Sequence, residues 1–359
     1  HMMNWLCVMA VVAPAAAFLS VPLAHTSRLS PSIGALRPSF TARHYVHTGG
    51  IFGLRAQSVE ALVEKASKGS ATTKAPTSLF KALKKKTGAK TVAFEFKRKA
   101  DIKANTQFEF DELSYDLRVN CKVAMLVVDS MQSELSEEEV QKDIEMFAKE
   151  QSSAKGKFPG PVPIVWRKDF SSIQEIAFAK SIGCYSVTLI ADKLVAKAPE
   201  MLPNLIHACH ALGMEPLIEV NDQALIAPAL QAGAKCINVR FSSGAVASFL
   251  VYATKSMSSD ITKIAGDFAV LATVQARQGA AEIEQAQALI GLEGYNGVLF
   301  SGALLDARDK ENIPYCGYLA DVLLNKRSTT IKINEAKPGP GGPNSGGKAQ
   351  GWGNEGTHV

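Results

Sequence analysis

The sequence predicts an α/β fold, a closed (β/α)8 barrel with parallel strands inside and helices outside, on three observations. Eight short β-branched runs alternate with longer helical stretches. Together they fill roughly 250 residues, the length such a barrel needs. Glycines recur where a helix must stop before the next strand begins. The runs occupy residues 91–94, 123–128, 162–165, 186–190, 216–220, 236–239, 268–271 and 297–300. Stretches between them, such as 137–150 and 198–212, repeat apolar residues at helical spacing. Gly183, Gly213 and Gly233 stand where a helix C-terminus wants a positive φ. An open doubly wound sheet is the competing arrangement, but no Gly-rich fingerprint follows the first strand. Two pieces precede that strand. Residues 59–66 form an amphipathic helix, and 79–86 a basic, partly apolar stretch as an N-terminal extension. Its Lys84-Lys85-Lys86 run is either a solvated helix end or a rim that attracts phosphate.

Composition sets the remaining bounds. The chain has 359 residues, 47% hydrophobic and 20% charged, enough for one large domain with tails. No Asp or Glu precedes Glu60, whereas Arg28, Arg37, Arg43 and Arg55 lie there. The net charge of +5 therefore belongs mostly to that stretch, and a nucleic-acid partner is not expected. A short apolar run around Trp5 to Val12 ends in small residues up to Phe18, as a secretory signal does. It is too short to span a bilayer, so no membrane association is expected of the mature form. About forty acid-free residues rich in Ser, Thr, Arg and Pro follow. The pair resembles the two-part leader of plastid proteins in algae with secondary plastids, and a plastid stroma is expected. A plain secretion signal with a disordered tail remains the other reading. The six cysteines show no CxxC pair, which suits reduced, buried thiols rather than a disulfide scaffold. The expected division is a leader over 1–56, a barrel over 57–330 and a flexible Gly/Pro-rich tail over 331–359.

Function in such a barrel sits at the C-terminal ends of the strands. The first strand ends Phe94-Glu95-Phe96-Lys97, so Glu95 and Lys97 share a face. The third ends Val165-Trp166-Arg167-Lys168-Asp169-Phe170. The fifth ends Ile218-Glu219-Val220-Asn221-Asp222, and the sixth Asn238-Val239-Arg240, again with two residues on one face. Any one of these polar groups is most simply a structural ion pair. Lys97, Lys168, Glu95, Glu219, Asn238 and Arg240 together at one rim suit acid–base work on an anionic substrate. His207, Cys209 and His210 fall on a helix without a third ligand at metal spacing, so no metal is expected. Trp166 reads as packing, and Met131 as core or lid.

These four strand-end motifs resemble those of indole-3-glycerol-phosphate synthases, in order and spacing from Glu95 to Leu305. The resemblance implies a decarboxylating carbon–carbon lyase of tryptophan biosynthesis. That family closes the indole ring of 1-(2-carboxyphenylamino)-1-deoxyribulose 5-phosphate, a phosphorylated anthranilate derivative, without metal or organic cofactor. It assigns Lys168 as the acid that protonates the ketone oxygen and Glu219 to the dehydration half. Glu95 and Asn238 would support the intermediates, and Lys97 would serve as a second acid and anion contact. Arg240 would hold the carboxylate, with Phe170, Ser301 and Gly302 in the substrate site. The chain departs from the family at the phosphate end. Ala100-Asp101 replace Ser-Pro after Lys99, and Thr273-Val274-Gln275-Ala276 replace Glu-Ser-Gly-Ile after strand seven. Thr273 thereby deletes a carboxylate. Ser301-Gly302 replace Gly-Ser after strand eight, where a short helix could still open as an anion site. Two alternatives to the synthase reading stay open: a related cyclase whose substrate lacks the phosphate, and an inactive barrel that serves a protein partner.

Overall fold

The computed structural model describes residues 58–70, 72–131, 133–240, 267–292 and 294–324. The expected leader and tail, and with them the plastid assignment, lie outside the described residues. Within them the chain forms a closed barrel of eight parallel strands paired in sequence order, with β8 returning to β1. The strands are β1 Thr91–Phe96, β2 Leu126–Asp129, β3 Ile164–Arg167, β4 Ser186–Ile190, β5 Leu217–Val220, β6 Cys236–Val239, β7 Ala269–Gln275 and β8 Gly297–Leu304. Each of the eight expected runs is a strand. The largest adjustments are at the C-terminal ends of β7 and β8, which run four residues past the expected limits.

Among the described residues ten helices surround or precede them: α1 Val59–Ser67, α2 Ser78–Leu83, α3 Gln107–Val119, α4 Glu137–Ser153, α5 Ile173–Ser181, α6 Ala191–Lys197, α7 Met201–Ala211, α8 Ile226–Gln231, α9 Ala280–Ile290 and α10 Asn312–Leu324. Capping boxes start three of them. Thr106 with Glu109 opens α3, Ser136 with Glu139 opens α4, and Ser172 with Glu175 opens α5. Gly183, Gly213 and Gly233 all have positive φ just past helix ends, as expected.

Alternation along the strands divides the core in two. Val92, Phe94, Phe96, Trp166 and Val274 point outward into the shell beneath the helices. Ala93, Met125, Val127, Val165, Leu217 and Leu299 point inward and fill the lower barrel. Leu79 and Leu83 of α2 join this inner group from below, so α2 closes the floor. Two contacts hold it there. The Phe80 N–H donates to buried Glu215 (3.0 Å), and Lys84 pairs with Asp267 (2.8 Å). The lysine run after α2 thus begins with an ion pair. The five described cysteines are buried and unpaired, and burial pushes the Cys121 thiol up to about 11.

Two predictions arise here. At the β1–β8 seam a Cβ on Gly297 would collide with the carbonyl of Thr91. Gly297→Ala should cost about 1–3 kcal/mol of stability by forcing this seam apart. An unchanged urea midpoint would show that the backbones separate freely. On α7, burial first, and then the charges of His207 and Lys235, lower the His210 pKa to about 4. The unfolded chain therefore binds a proton that the folded chain refuses between pH 6.5 and 4. Stability from this group is complete above that window and is lost as pH falls through it. The melting temperature of the native chain should drop a few degrees more than that of His210→Asn over this range. Parallel pH curves for the two proteins would contradict this.

Candidate active site

The polar layer at the C-terminal end of the barrel follows from the same alternation. Val165 faces in and Trp166 out, so Arg167 faces in and Lys168 out. Glu95, Asp129, Arg167, Glu219, Asn238 and Thr273 are the inward side chains one step above the apolar filling. Glu95, Asp129, Arg167 and Glu219 form one chain of contacts with Arg240, and Asn238 and Thr273 pair with each other. Arg167 grips Glu219 with two donors, Nε to Oε2 (2.7 Å) and Nη2 to Oε1 (2.6 Å). Its remaining Nη1 donates to Asp129 Oδ1 (2.9 Å). Arg240 donates to Glu95 Oε2 and lies 3.5 Å from Glu219 Oε2. Lys97 donates to the Met131 carbonyl (2.8 Å) and stands 3.9 Å from Asp129. Asn238 accepts from the Thr273 hydroxyl (2.9 Å), while its buried Nδ2 has no partner. Three carboxylates thus face three cations, a neutral set in which each carboxylate is paired.

The carboxylates do not titrate alike. Burial pushes Glu95 up, but the charges of Arg240 and Arg167 and the hydroxyl of Ser301 outweigh it and hold its pKa below the ordinary range. Burial and the charge of Glu95 push Asp129 up, and Arg167 and the Met131 N–H only partly offset them. Asp129 is therefore more readily protonated than an ordinary aspartate, beside the Lys97 ammonium.

Of the sequence-predicted residues, the structure brings together Glu95, Lys97, Glu219, Asn238, Arg240, Ser301 and Gly302 at this end. Two are placed elsewhere. Lys168 follows the end of β3 and turns to the outside, where it pairs with Glu137 and with Glu175 (3.2 Å) and lies 5.4 Å from the Trp166 ring centroid. Burial alone would lower its pKa, but those carboxylates outweigh burial and raise it. The capping box of α5 aims Glu175 for this pairing, since the Ser171 and Ser172 N–H groups donate to its other oxygen (2.8 and 3.1 Å). Phe170 is 1% exposed and packs edge-on against Trp166 at 5.5 Å in the outer shell, away from the rim. Lys168 turns outward because neighbours along a strand point to opposite faces and Arg167 has taken the inward position. Phe170, past the strand end, turns into the apolar shell around Trp166.

The expected helix at Ser301-Gly302 is also absent, because β8 continues to Leu304 with a register shift against β1. The Ser301 hydroxyl and the Gly302 N–H both donate to Glu95 Oε1 (2.7 and 3.1 Å). Val274 is buried in the outer shell and so adds no bulk to the rim; Thr273 and Gln275 are the β7 residues that face it. Asp101 is exposed. Sequence reasoning missed Arg167 and Asp129 as members of the site. Applying the strand-end rule to β2 would have found Asp129. Arg167 is found only by counting inward positions from Val165. Among the described residues, no group of three or more His, Cys, Asp or Glu could hold a metal ion.

A solved structure titled "Native KDPGal structure" aligns with 14% identity and a TM-score of 0.42, over 65% of this chain and 91% of that one. Another, titled "Crystal Structure of 3-Hexulose-6-Phosphate Synthase", aligns with 10% identity and a TM-score of 0.43, over 65% and 99%. Likeness at that level says nothing about substrate. No curated protein matches the chain. The family model for indole-3-glycerol phosphate synthase matches residues 50–313, which is most of the chain and the whole barrel up to the start of α10. The chain belongs to the indole-3-glycerol phosphate synthase family.

Proposed function

We propose that the protein is a decarboxylating carbon–carbon lyase that closes the indole ring of an N-(2-carboxyphenyl)-1-amino-1-deoxyketose. This is the chemistry performed on 1-(2-carboxyphenylamino)-1-deoxyribulose 5-phosphate, and Lys97 is its proton donor. The observation that carries this reading is the rim itself, where Lys97 stands 3.9 Å from Asp129 and Arg167 joins Asp129 to Glu219. The family match supports the reaction class.

The reaction needs two protons delivered and one removed. In ring closure, the ring carbon that bears the carboxylate bonds to the ketone carbon, and the ketone oxygen takes a proton. The bond to the carboxylate then breaks, its electron pair returns to the ring, and CO2 leaves. In dehydration the new hydroxyl takes a second proton and departs as water, while a base removes a proton from the methylene carbon beside the nitrogen, and the indole double bond forms. A guanidinium does not release a proton near neutral pH, so Arg167 and Arg240 bind and orient but do not donate. Lys97 is the amine present at this rim among the described residues, with Asp129 beside it. Glu219, held by two donors from Arg167, is the fixed carboxylate for the dehydration half. Arg240 and Asn238 Nδ2 remain to meet the substrate carboxylate and a ketone or hydroxyl oxygen. The leader-like composition of residues 1–56 supports a plastid setting for this activity.

One observation favours a second reading, a barrel that no longer turns over and serves a protein partner. Lys168 is tied outside by two carboxylates, and the inward position at the end of β3 carries a group that cannot act as an acid. Indole fluorescence during incubation with the phosphorylated and dephosphorylated ketose substrates separates the readings. Growth of signal supports the lyase, and a flat trace with both compounds rejects it.

A further inference from the structure

We propose that Asp129 is a positioning residue for this chemistry: it holds the Lys97 ammonium inward at the rim, against the repulsion of two arginines. The proposal rests on the lyase reading, in which Lys97 delivers the proton, and Asp129 acts through Lys97 rather than on the substrate. Strand register puts the pair together. Phe96 stands opposite Val128, and Asp129 opposite Arg167. The next step along β1 and β2 therefore sets Lys97 level with Asp129, and alternation turns both inward, two residues beyond Glu95 and Val127. Across three strands the rim reads Lys97, Asp129, Arg167, an anion between two cations.

The two oxygens of Asp129 divide the task. Oδ1 accepts from Arg167 Nη1 and from the Met131 N–H, both at 2.9 Å. Oδ2 lies 3.9 Å from Lys97 Nζ, too far for a hydrogen bond but close enough for the charges to attract. The turn that Oδ1 closes matters as well, because Lys97 donates to the carbonyl of the same Met131 (2.8 Å). Asp129 thus acts on Lys97 twice, through its charge and through the backbone acceptor it fixes. Lys97 needs that hold, since about a third of its flexible side chain is exposed and it can swing out to water. The charged groups facing this pair are Glu95 from β1, Arg167 from β3, Glu219 from β5 beyond Arg167, and Arg240 after β6. Both arginines repel an ammonium. Glu219 has both oxygens gripped by Arg167, and Glu95 has its own engaged by Arg240, Ser301 and Gly302. Asp129 Oδ2 is the carboxylate oxygen left to face Lys97. Burial, and then the charge of Glu95, make Asp129 take up a proton at higher pH than an ordinary aspartate. Once neutral, it no longer draws Lys97 inward.

The experiment follows indole fluorescence with the phosphorylated ketose on the full chain and on Asp129→Asn, with circular dichroism to show that the variant is folded. The expected result is a kcat lower by about tenfold or more in the variant, with KM within about threefold. The pH profile should change too. The native rate should fall on the acid side above the ordinary aspartate range, as Asp129 is protonated, while the variant should be slow but level through that range. A residue that only stabilised the barrel would alter melting and leave the acid limb where it was. A native-like kcat, or an acid limb that keeps its native position in the variant, overturns the proposal. Should Asp129→Asn not fold, the native profile decides, and a native rate that stays level down to about pH 4 overturns it. Should the native chain form no indole, the lyase reading fails, and the hold on Lys97 is read without turnover. Acetic anhydride at one mildly alkaline pH, with the products counted by mass spectrometry, should label Lys97 several times faster in Asp129→Asn than in the native chain. Equal labelling overturns the proposal.

Discussion

Lys97→Ala should lower kcat/KM for indole formation by about a thousandfold, whereas Lys168→Ala should leave it within roughly threefold of the native value. The contrast comes from geometry. Lys97 stands at the rim beside Asp129, and Lys168 is on the other side of the strand wall with Glu137 and Glu175. Removing Lys97 takes away a proton donor, while removing Lys168 takes away a partly exposed ion pair whose contribution to stability is small. The measurement is initial rate against substrate concentration for both variants, with circular dichroism to show that each is folded. A collapse of activity in Lys168→Ala, with Lys97→Ala active, would require the β3 terminus to shift by one residue so that Lys168 faces the axis.

Arg167→Met should destabilise the barrel by about 3–5 kcal/mol, the cost of leaving buried carboxylates without their cation. Arg167 serves Glu219 with two donors and Asp129 with a third, and both acids are almost fully buried. Methionine matches the length of the stem but supplies no donor. Arg167→Lys keeps the charge, loses the two-pronged grip, and should fall between the two. Urea unfolding of the three proteins checks the order. A loss below about 1 kcal/mol in Arg167→Met would mean that water or a rearranged Arg240 satisfies those acids in its place.

The barrel was legible because its signal is periodic. β-branched runs at regular spacing, helix-closing glycines at 183, 213 and 233, and no nucleotide-type glycine loop after β1 leave few alternatives. Most of the rim was legible for a related reason, since Glu95 and Lys97, or Asn238 and Arg240, are two apart and must share a face. Lys168 was misplaced because a motif fixes the order of residues but not the phase of a strand. Arg167 and Lys168 are adjacent, only one can face inward, and the choice is set by where Val165 enters the core. The partnership of Ser301 and Gly302 with Glu95 joins residues about two hundred positions apart. It depends on how β8 closes against β1, which no local pattern records.

The short helix α2 gives the chamber a solid base. Leu79 and Leu83 stopper the barrel's N-terminal end, and the Glu215 carboxylate anchors the stopper from within. In the proposed reaction traffic is therefore one-ended: the ketose would arrive, and carbon dioxide, water and the finished indole depart, all by the same doorway. Carbon dioxide and water are the small passengers and have no rear exit, so they share the doorway with the bulky product.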